Sequence, residues 1–190
     1  MIRREGSPVP EPAGPSVLVI TGPPGSGKTT VAELLAACSQ RSVHLESDAF
    51  FHFIKAGYLE PWRPESHEQN TAIMRIVSAA AASYAQAGYA TIVDGIISPR
   101  WFLEPVRDGL RARGCSVAYA VLRAPLAVCL SRAGDRESGR QPSTAVVEQL
   151  WHEFADLGPL ERHVVDTEKG TAEETASTLD ESLRAGQLTM

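Results

Sequence analysis

One segment constrains the fold of this chain more than any other: Gly22-Pro-Pro-Gly-Ser-Gly-Lys-Thr29. It matches G-x-x-x-x-G-K-[ST], the pattern of the phosphate-binding P-loop. A short apolar run at 16–20 precedes it and predicts a buried strand, and apolar residues recur at helical spacing from 31 to 38. A strand, a glycine loop and a helix in this order are the arrangement that the motif needs. The alternative is a glycine-rich turn with a chance lysine, which leaves both flanks unexplained.

The motif indicates a site for a nucleoside triphosphate. Its glycines let the backbone turn tightly and aim N–H groups at phosphate oxygens, and the following helix adds the positive end of its dipole. We expect Lys28 to reach the β- and γ-phosphates and the hydroxyl of Thr29 to bind Mg²⁺. The predicted phosphate-binding residues are Gly22, Pro23, Pro24, Gly25, Ser26, Gly27, Lys28, Thr29 and Thr30.

Strand and helix patterns alternate along the rest of the chain. The predicted strands are 16–21, 42–46, 90–94, 116–122 and 163–166. Five strands alternating with helices predict an α/β fold with a parallel sheet and right-handed crossovers. The helix after the third strand is expected to open at Ser98-Pro99 and to kink or restart near 104, because Pro105 falls inside it. Ligands of such sheets bind beyond the carboxyl ends of the strands, so the residues after each strand are candidate site residues.

Length and composition favour one enzyme-sized domain. The first 15 of the 190 residues carry four prolines and little that packs, so 1–15 is predicted to be a flexible tail and 16–190 a single domain. A net charge of −5 argues against nucleic acid as a partner. No run approaches the ~20 apolar residues of a membrane span. Three cysteines without metal or redox spacing indicate a reduced, cytoplasmic protein, and the sequence leaves monomer and homodimer open.

Two aspartates follow neighbouring strand patterns. Asp94 ends an apolar strand, the usual place for the carboxylate that holds Mg²⁺ in phosphoryl transfer; the alternative is a helix or loop cap. Asp48 follows the second strand, where it could accept the proton of an acceptor hydroxyl. The alternative for Asp48 is an N-cap of a helix starting at Ala49, and both roles can hold together.

Arginines surround a polar, glycine-containing loop that is predicted to be a mobile lid at about 133–142. They are Arg123, Arg132, Arg136 and Arg140. The planar guanidinium is always charged and binds two phosphate oxygens at once. We expect at least one of Arg132 and Arg136 to reach ATP, as a catalytic and ATP-binding residue.

The acceptor is expected between the second and third strands. The stretch from Phe50 to Trp62 is unusually aromatic, which fits either the wall of an acceptor pocket or a small satellite core. The candidate acceptor-binding residues are Asp48, Phe51, His52, Arg63, Asp94 and Arg100.

From residue 16 to residue 183 the chain resembles the small P-loop kinases, which include nucleoside monophosphate, shikimate and gluconate kinases and chloramphenicol phosphotransferase. The resemblance rests on the P-loop, on Asp48, on Asp94 and on the arginines of the lid. It implies a three-layer P-loop NTPase fold with helices on both faces of a five-stranded parallel sheet of order 2-3-1-4-5. It also implies ATP with Mg²⁺, transfer of the γ-phosphoryl group, and a nucleotide-base loop at Asp166 and Thr167.

The expected function is therefore that of an ATP-dependent kinase acting on a hydroxyl group of a small molecule. Two alternatives remain at this stage. One is a nucleotide-dependent ATPase or switch without a small-molecule acceptor, and the other is a polynucleotide 5′-hydroxyl kinase.

Overall fold

A single parallel sheet forms the centre of the protein in the computed structural model, which describes residues 14–134 and 143–190. Its strands are β1 (Ser16–Thr21), β2 (Ser42–Glu46), β3 (Ala90–Asp94), β4 (Ser116–Arg123) and β5 (Val164–Asp166). They lie in the order β2-β3-β1-β4-β5, and each neighbouring pair is parallel. The predicted α/β fold and strand order are confirmed.

Helices cover both faces of this sheet. They are α1 (Lys28–Ala37), α2 (Ser47–Phe51), α3 (His67–Gln86), α4 (Leu103–Arg111), α5 (Leu126–Gly134), α6 (Thr144–His152) and α7 (Ala172–Arg184), with short 3-10 helices at Pro64–Ser66 and Gly158–His163. Successive residues of β1 point to opposite faces, as the pleat of a strand requires. Val17 and Val19 pack with α3 and α4, whereas Leu18 and Ile20 pack with α1 and α7. Both faces of the central strand are therefore buried, and the P-loop follows it from the middle of the sheet.

The predicted start of the helix after β3 is wrong. The carbonyl of Ser98 accepts hydrogen bonds from the amides of Trp101, Phe102 and Leu103, which makes a turn, and α4 begins only at Leu103. Pro105 then lies in the first turn of α4, where its missing N–H leaves no intrahelical bond unmade. The restart expected near 104 is where the helix begins.

The predicted tail and lid fall largely outside the described residues. Of the tail, the structure describes Gly14 and Pro15, and the carbonyl of Pro15 accepts a hydrogen bond from the amide of Ser116. The predicted lid begins within the last two residues of α5, and its residues 135–142 are not described. The division into tail, domain and lid stays a prediction. Among the described helices, none is both long and apolar enough to cross a membrane.

Candidate functional site

The P-loop connects β1 to α1 and packs tightly against α5. A side chain on Gly25 would place its Cβ 2.2 Å from the carbonyl oxygen of Cys129, and Gly25 has a φ of +81°, so a glycine is required there. Helix α1 begins at Lys28, and its N-cap residue, Gly27, supplies no side-chain hydrogen bond. The amides of the first turn are thus without a side-chain cap, which suits them to phosphate oxygens.

Two P-loop side chains, those of Lys28 and Thr29, make hydrogen bonds that fix their positions. Lys28 is only 7% exposed, and its ammonium donates to the carbonyl of Pro23 at 3.0 Å, so its charge lies over the loop. Thr29 donates from Oγ1 to Oδ2 of Asp94 at 2.7 Å. This bond joins the start of α1 to the end of β3 and brings together the two residues that were predicted to bind Mg²⁺.

Asp94 lies in a nearly closed environment at the end of β3. Asp94 is only 3% exposed. Beside it, Gly95 allows close approach of the start of α2, because a Cβ at Gly95 would lie 1.8 Å from the Oγ of Ser47. The cap alternative for Asp94 is not supported, since its carboxylate is bonded to the P-loop rather than to a helix amide.

His44, on β2, contacts the other oxygen of the same carboxylate. Its Nε2 lies 3.3 Å from Oδ1 of Asp94, which is ion-pair distance, although the ring N–H is not aligned well enough for a full hydrogen bond. The contact with Asp94 raises the pKa of His44 above its ordinary value, against the opposing effect of burial. Periodicity alone did not reveal this contact, because the sequence does not state which residues of β2 face the end of β3.

The donor atoms at this point fit Mg²⁺. A threonine hydroxyl and a carboxylate are the hard oxygen ligands that Mg²⁺ takes alongside water and phosphate oxygens. Thr29 and Asp94 are therefore the residues that would hold the ion.

Asp48 is the second residue of α2 and is exposed at the carboxyl end of β2. The alternative that Asp48 is the N-cap of a helix starting at Ala49 is wrong, because α2 begins at Ser47 and its N-cap residue is Glu46. Since β2 and β3 are parallel neighbours, Asp48, just after β2, and Asp94, the last residue of β3, lie at the same edge of the sheet.

The aromatic stretch after β2 belongs mostly to the core. Phe51 is 5% exposed within the cluster that packs under α3 and α4, and Phe50, Ile54 and Tyr58 pack against that cluster. Only Phe53 is strongly exposed among these residues, at 71%. The core alternative accounts for most of this stretch, and Phe51 has little surface left for an acceptor.

A cleft of about 280 Å³ lies between the loops that follow β2 and β3. It is lined by Arg63, Pro64, Ser66, His67, Asn70 and Trp101. Arg63 was predicted on the acceptor side, whereas His67 and Trp101 were not. The amide of Asn70 donates to the carbonyl of Pro61 at 2.7 Å and to Ser66 at 2.9 Å, which fixes the wall of the cleft. The other two candidates, His52 and Arg100, are exposed and do not line it.

On the opposite side of the P-loop, the segment after β5 is fastened to it. Thr167 is buried, and its Oγ1 donates to the carbonyl of Ser26 at 3.1 Å. Arg132, on α5, donates to the carbonyl of Thr167 at 3.0 Å. Asp166 is exposed and accepts a hydrogen bond from the amide of Glu168. The predicted base loop, the P-loop and one predicted lid arginine thus meet.

Of the other predicted lid arginines, Arg123 is described, and its side chain makes contacts other than those of Arg132. Arg123 makes two hydrogen bonds to the carboxylate of Glu161, at 2.9 and 2.8 Å, and another to the carbonyl of Phe154, so it is engaged within the fold. Arg136 and Arg140 lie outside the described residues.

The sheet order and the P-loop with a carboxylate bonded behind it define a P-loop NTPase fold. A family model described as an AAA domain matches residues 17–158, and the chain belongs to this family. No curated protein matches the chain.

Solved structures with similar folds include small P-loop kinases. A sugar kinase from Janibacter sp. HTCC2649 has a TM-score of 0.66 and 24% identity, covering 90% of this chain and 97% of its own. The APS kinase of Mycobacterium tuberculosis, in complex with AMPPNP and APS, has a TM-score of 0.68 and 18% identity over 90% and 99%. The shikimate kinase of Acinetobacter baumannii, in complex with shikimate, has a TM-score of 0.64 and 23% identity over 93% and 96%. At these identities the similarity concerns the fold, and it confirms the resemblance to small P-loop kinases.

Proposed function

We propose that the protein is an ATP-dependent kinase that transfers the γ-phosphoryl group of ATP to a hydroxyl group of a small molecule. The observation that carries this proposal is the 2.7 Å hydrogen bond between Thr29 and the buried carboxylate of Asp94, with Asp48 exposed after the neighbouring strand. A P-loop and a metal-binding carboxylate suffice to bind and polarise ATP. Transfer to an acceptor hydroxyl also needs a group that accepts the proton of that hydroxyl. A second, exposed carboxylate at the end of the adjacent strand can serve as this group.

The donor half of the proposed site consists of the P-loop and α5. The backbone amides of the P-loop and the ammonium of Lys28 bind the phosphate oxygens of ATP. Arg132, on α5, contacts the segment that follows β5. Held by Thr29 and Asp94, Mg²⁺ would neutralise charge that develops on the phosphate oxygens. Arg136, which was also predicted to reach ATP, lies outside the described residues.

The acceptor half lies beyond β2 and β3. Asp48 orients the acceptor hydroxyl and accepts its proton as the new oxygen–phosphorus bond forms. The cleft at Arg63 and Trp101 holds the rest of the acceptor, since it combines an indole wall with hydrogen-bond donors. Its volume of about 280 Å³ is slightly below the lower limit of small-molecule sites, which is about 300 Å³, so it fits a small acceptor.

A two-stage screen tests this function. Thermal unfolding is measured with a non-hydrolysable ATP analogue, Mg²⁺ and a library of hydroxylated metabolites and antibiotics, and each compound that raises the unfolding temperature is then incubated with ATP. A phosphorylated product formed in proportion to ADP supports the proposal. ATP hydrolysis that depends on none of the compounds would favour the ATPase or switch, and labelling of an added RNA 5′-hydroxyl would favour the polynucleotide kinase.

A further inference from the structure

We infer that His44 is a positioning residue of this site: through Nε2 it orients the Asp94 carboxylate for binding of Mg²⁺. This inference rests on the proposed function, because it requires Asp94 to hold the ion directly or through a water molecule. In this role His44 acts through Asp94 and not by contact with nucleotide or acceptor.

The first support is that the carboxylate is held from both sides by different elements. Oδ2 of Asp94 accepts from Thr29, on α1, at 2.7 Å, and Oδ1 lies 3.3 Å from Nε2 of His44, on β2. A buried carboxylate whose two oxygens are both engaged has one orientation instead of several. Groups that hydrogen-bond or contact a ligating carboxylate in this way fix its direction toward the metal.

The second support is the position of His44 in the sheet. In the parallel register His44 lies opposite Ile92, so Asp94 is its diagonal neighbour two residues further along β3. Glu46, which lies directly opposite Asp94, is exposed. The imidazole is long enough to reach the diagonal neighbour, and its side chain is 13% exposed, so it approaches the carboxylate from within the protein.

The third support is that Nε2 has no other role among the described residues. The atom is buried and makes no hydrogen bond there, and Asp94 is the group it faces in an ion pair. A nitrogen placed only for packing would be replaceable by carbon. A nitrogen that orients the carboxylate would not.

The test compares His44→Leu with His44→Gln, whose amide nitrogen stands the same number of bonds from Cβ as Nε2. The affinity for AMPPNP is measured by calorimetry twice, in excess Mg²⁺ and in EDTA, which needs no acceptor and no turnover. Mg²⁺ is expected to raise the affinity for AMPPNP, and we expect this gain to be about tenfold or more smaller in His44→Leu than in the wild type. Loss of other outer contacts of metal ligands has effects of this size. Its affinity in EDTA should be that of the wild type. His44→Gln should recover most of the gain, and His152→Leu, an exposed histidine on α6, should change neither value.

Each outcome decides between the proposals. An unchanged Mg²⁺ gain in His44→Leu, or a loss in His44→Gln as large as in His44→Leu, overturns the positioning role. If His44→Leu does not fold, His44→Gln is compared with His44→Asn, whose nitrogen is one bond too short; equal behaviour of these two overturns it as well. If the wild type gains nothing from Mg²⁺, the proposed function itself fails.

Discussion

Asp48 follows β2 and Asp94 ends the neighbouring β3, yet the two carboxylates differ in exposure, which fits the different roles proposed for them. Asp94 is buried and bonded to the P-loop, whereas Asp48 is exposed at the start of α2. We expect Asp48→Asn to lower turnover roughly 10²-fold or more, because the amide cannot accept the acceptor proton. Affinity for AMPPNP should be largely kept. Steady-state kinetics and calorimetry check both, with Asp108→Asn, an exposed carboxylate on α4, as the control. Unchanged turnover in Asp48→Asn would remove the proton acceptor from the mechanism.

The buried imidazole of His163 should make the free energy of unfolding depend on pH. Burial lowers the pKa of His163 below its ordinary value of 6.5, and the charge of Arg162 adds to this effect. Because the folded pKa is the lower one, the unfolded chain takes up the proton first as the pH falls. The stabilising contribution is therefore complete above pH 6.5 and is lost as the pH falls toward the folded pKa.

The variant His163→Phe should remove this acid sensitivity while keeping a ring beside Tyr119, whose own ring centre lies 5.9 Å away. Denaturant unfolding between about pH 5 and pH 8 measures it as a flatter decline in the free energy of unfolding than in the wild type. His44 has a raised pKa and contributes in the opposite direction, so the comparison has to be made between variant and wild type. Parallel curves for the two proteins would contradict the assignment.

At the residue scale, the sequence predicted positions along the chain better than contacts across it. Thr29 and Asp94 were both predicted to bind Mg²⁺, and their direct hydrogen bond agrees with that pairing. The contact between His44 and Asp94 was missed, because it depends on the register of β2 against β3, which side-chain periodicity does not contain. Trp101 was missed because the Ser98 turn, and not a helix, directs it into the cleft.

At the scale of elements, the P-loop depends on its packing against α5. We expect Gly25→Ala to destabilise the protein by about 2 kcal/mol or more, because a Cβ would collide with the backbone of Cys129 and the residue has a positive φ. Affinity for AMPPNP should fall with it, since the loop must move. Gly109→Ala is the matched control: this helical glycine has only ordinary contacts at its Cβ position, so alanine should be neutral or stabilise by up to about 1 kcal/mol. Similar unfolding free energies for the two variants would show that the loop is less constrained than its contacts indicate.

Elements with one dominant signal were predicted well, and elements with two competing signals were not. The strands β1 and β3 are apolar runs with glycine after them, which leaves no rival interpretation. Ser98-Pro99 satisfies the rule for a helix N-terminus and also the rule for a turn. The turn is formed because Ser98 can accept three backbone amides there, and Phe102 and Leu103 are then buried. Tertiary burial therefore favours the turn over a helix start at Ser98-Pro99, and the local sequence pattern contains no information about this burial.

At the scale of the whole molecule, the strand order brings the parts of the proposed nucleotide site together from across the sheet. β1 lies at its centre, β3 supplies Asp94 on one side, and β4 continues into α5, which supports the P-loop on the other. A nucleotide at this junction would contact elements that are far apart in the chain and close together only in the fold. It should therefore bind the folded state and not the unfolded chain, and stabilise the protein by linkage.

The stabilisation expected from nucleotide binding depends on the nucleotide concentration relative to Kd. At an AMPPNP concentration of 100 times Kd the stabilisation is about 2.7 kcal/mol. For a chain of this length each kcal/mol shifts the unfolding temperature by about 2–4 °C, so the expected rise is about 5–11 °C. Lys28→Ala should lose most of the rise at the same concentration, because the buried ammonium of Lys28, held over the P-loop, is the charge that we propose to bind the phosphates. Lys55→Ala, a change at an exposed lysine after α2, should keep it. An equal rise in Lys28→Ala and in the wild type, measured by calorimetric scans with Mg²⁺ present, would place the nucleotide elsewhere on the molecule.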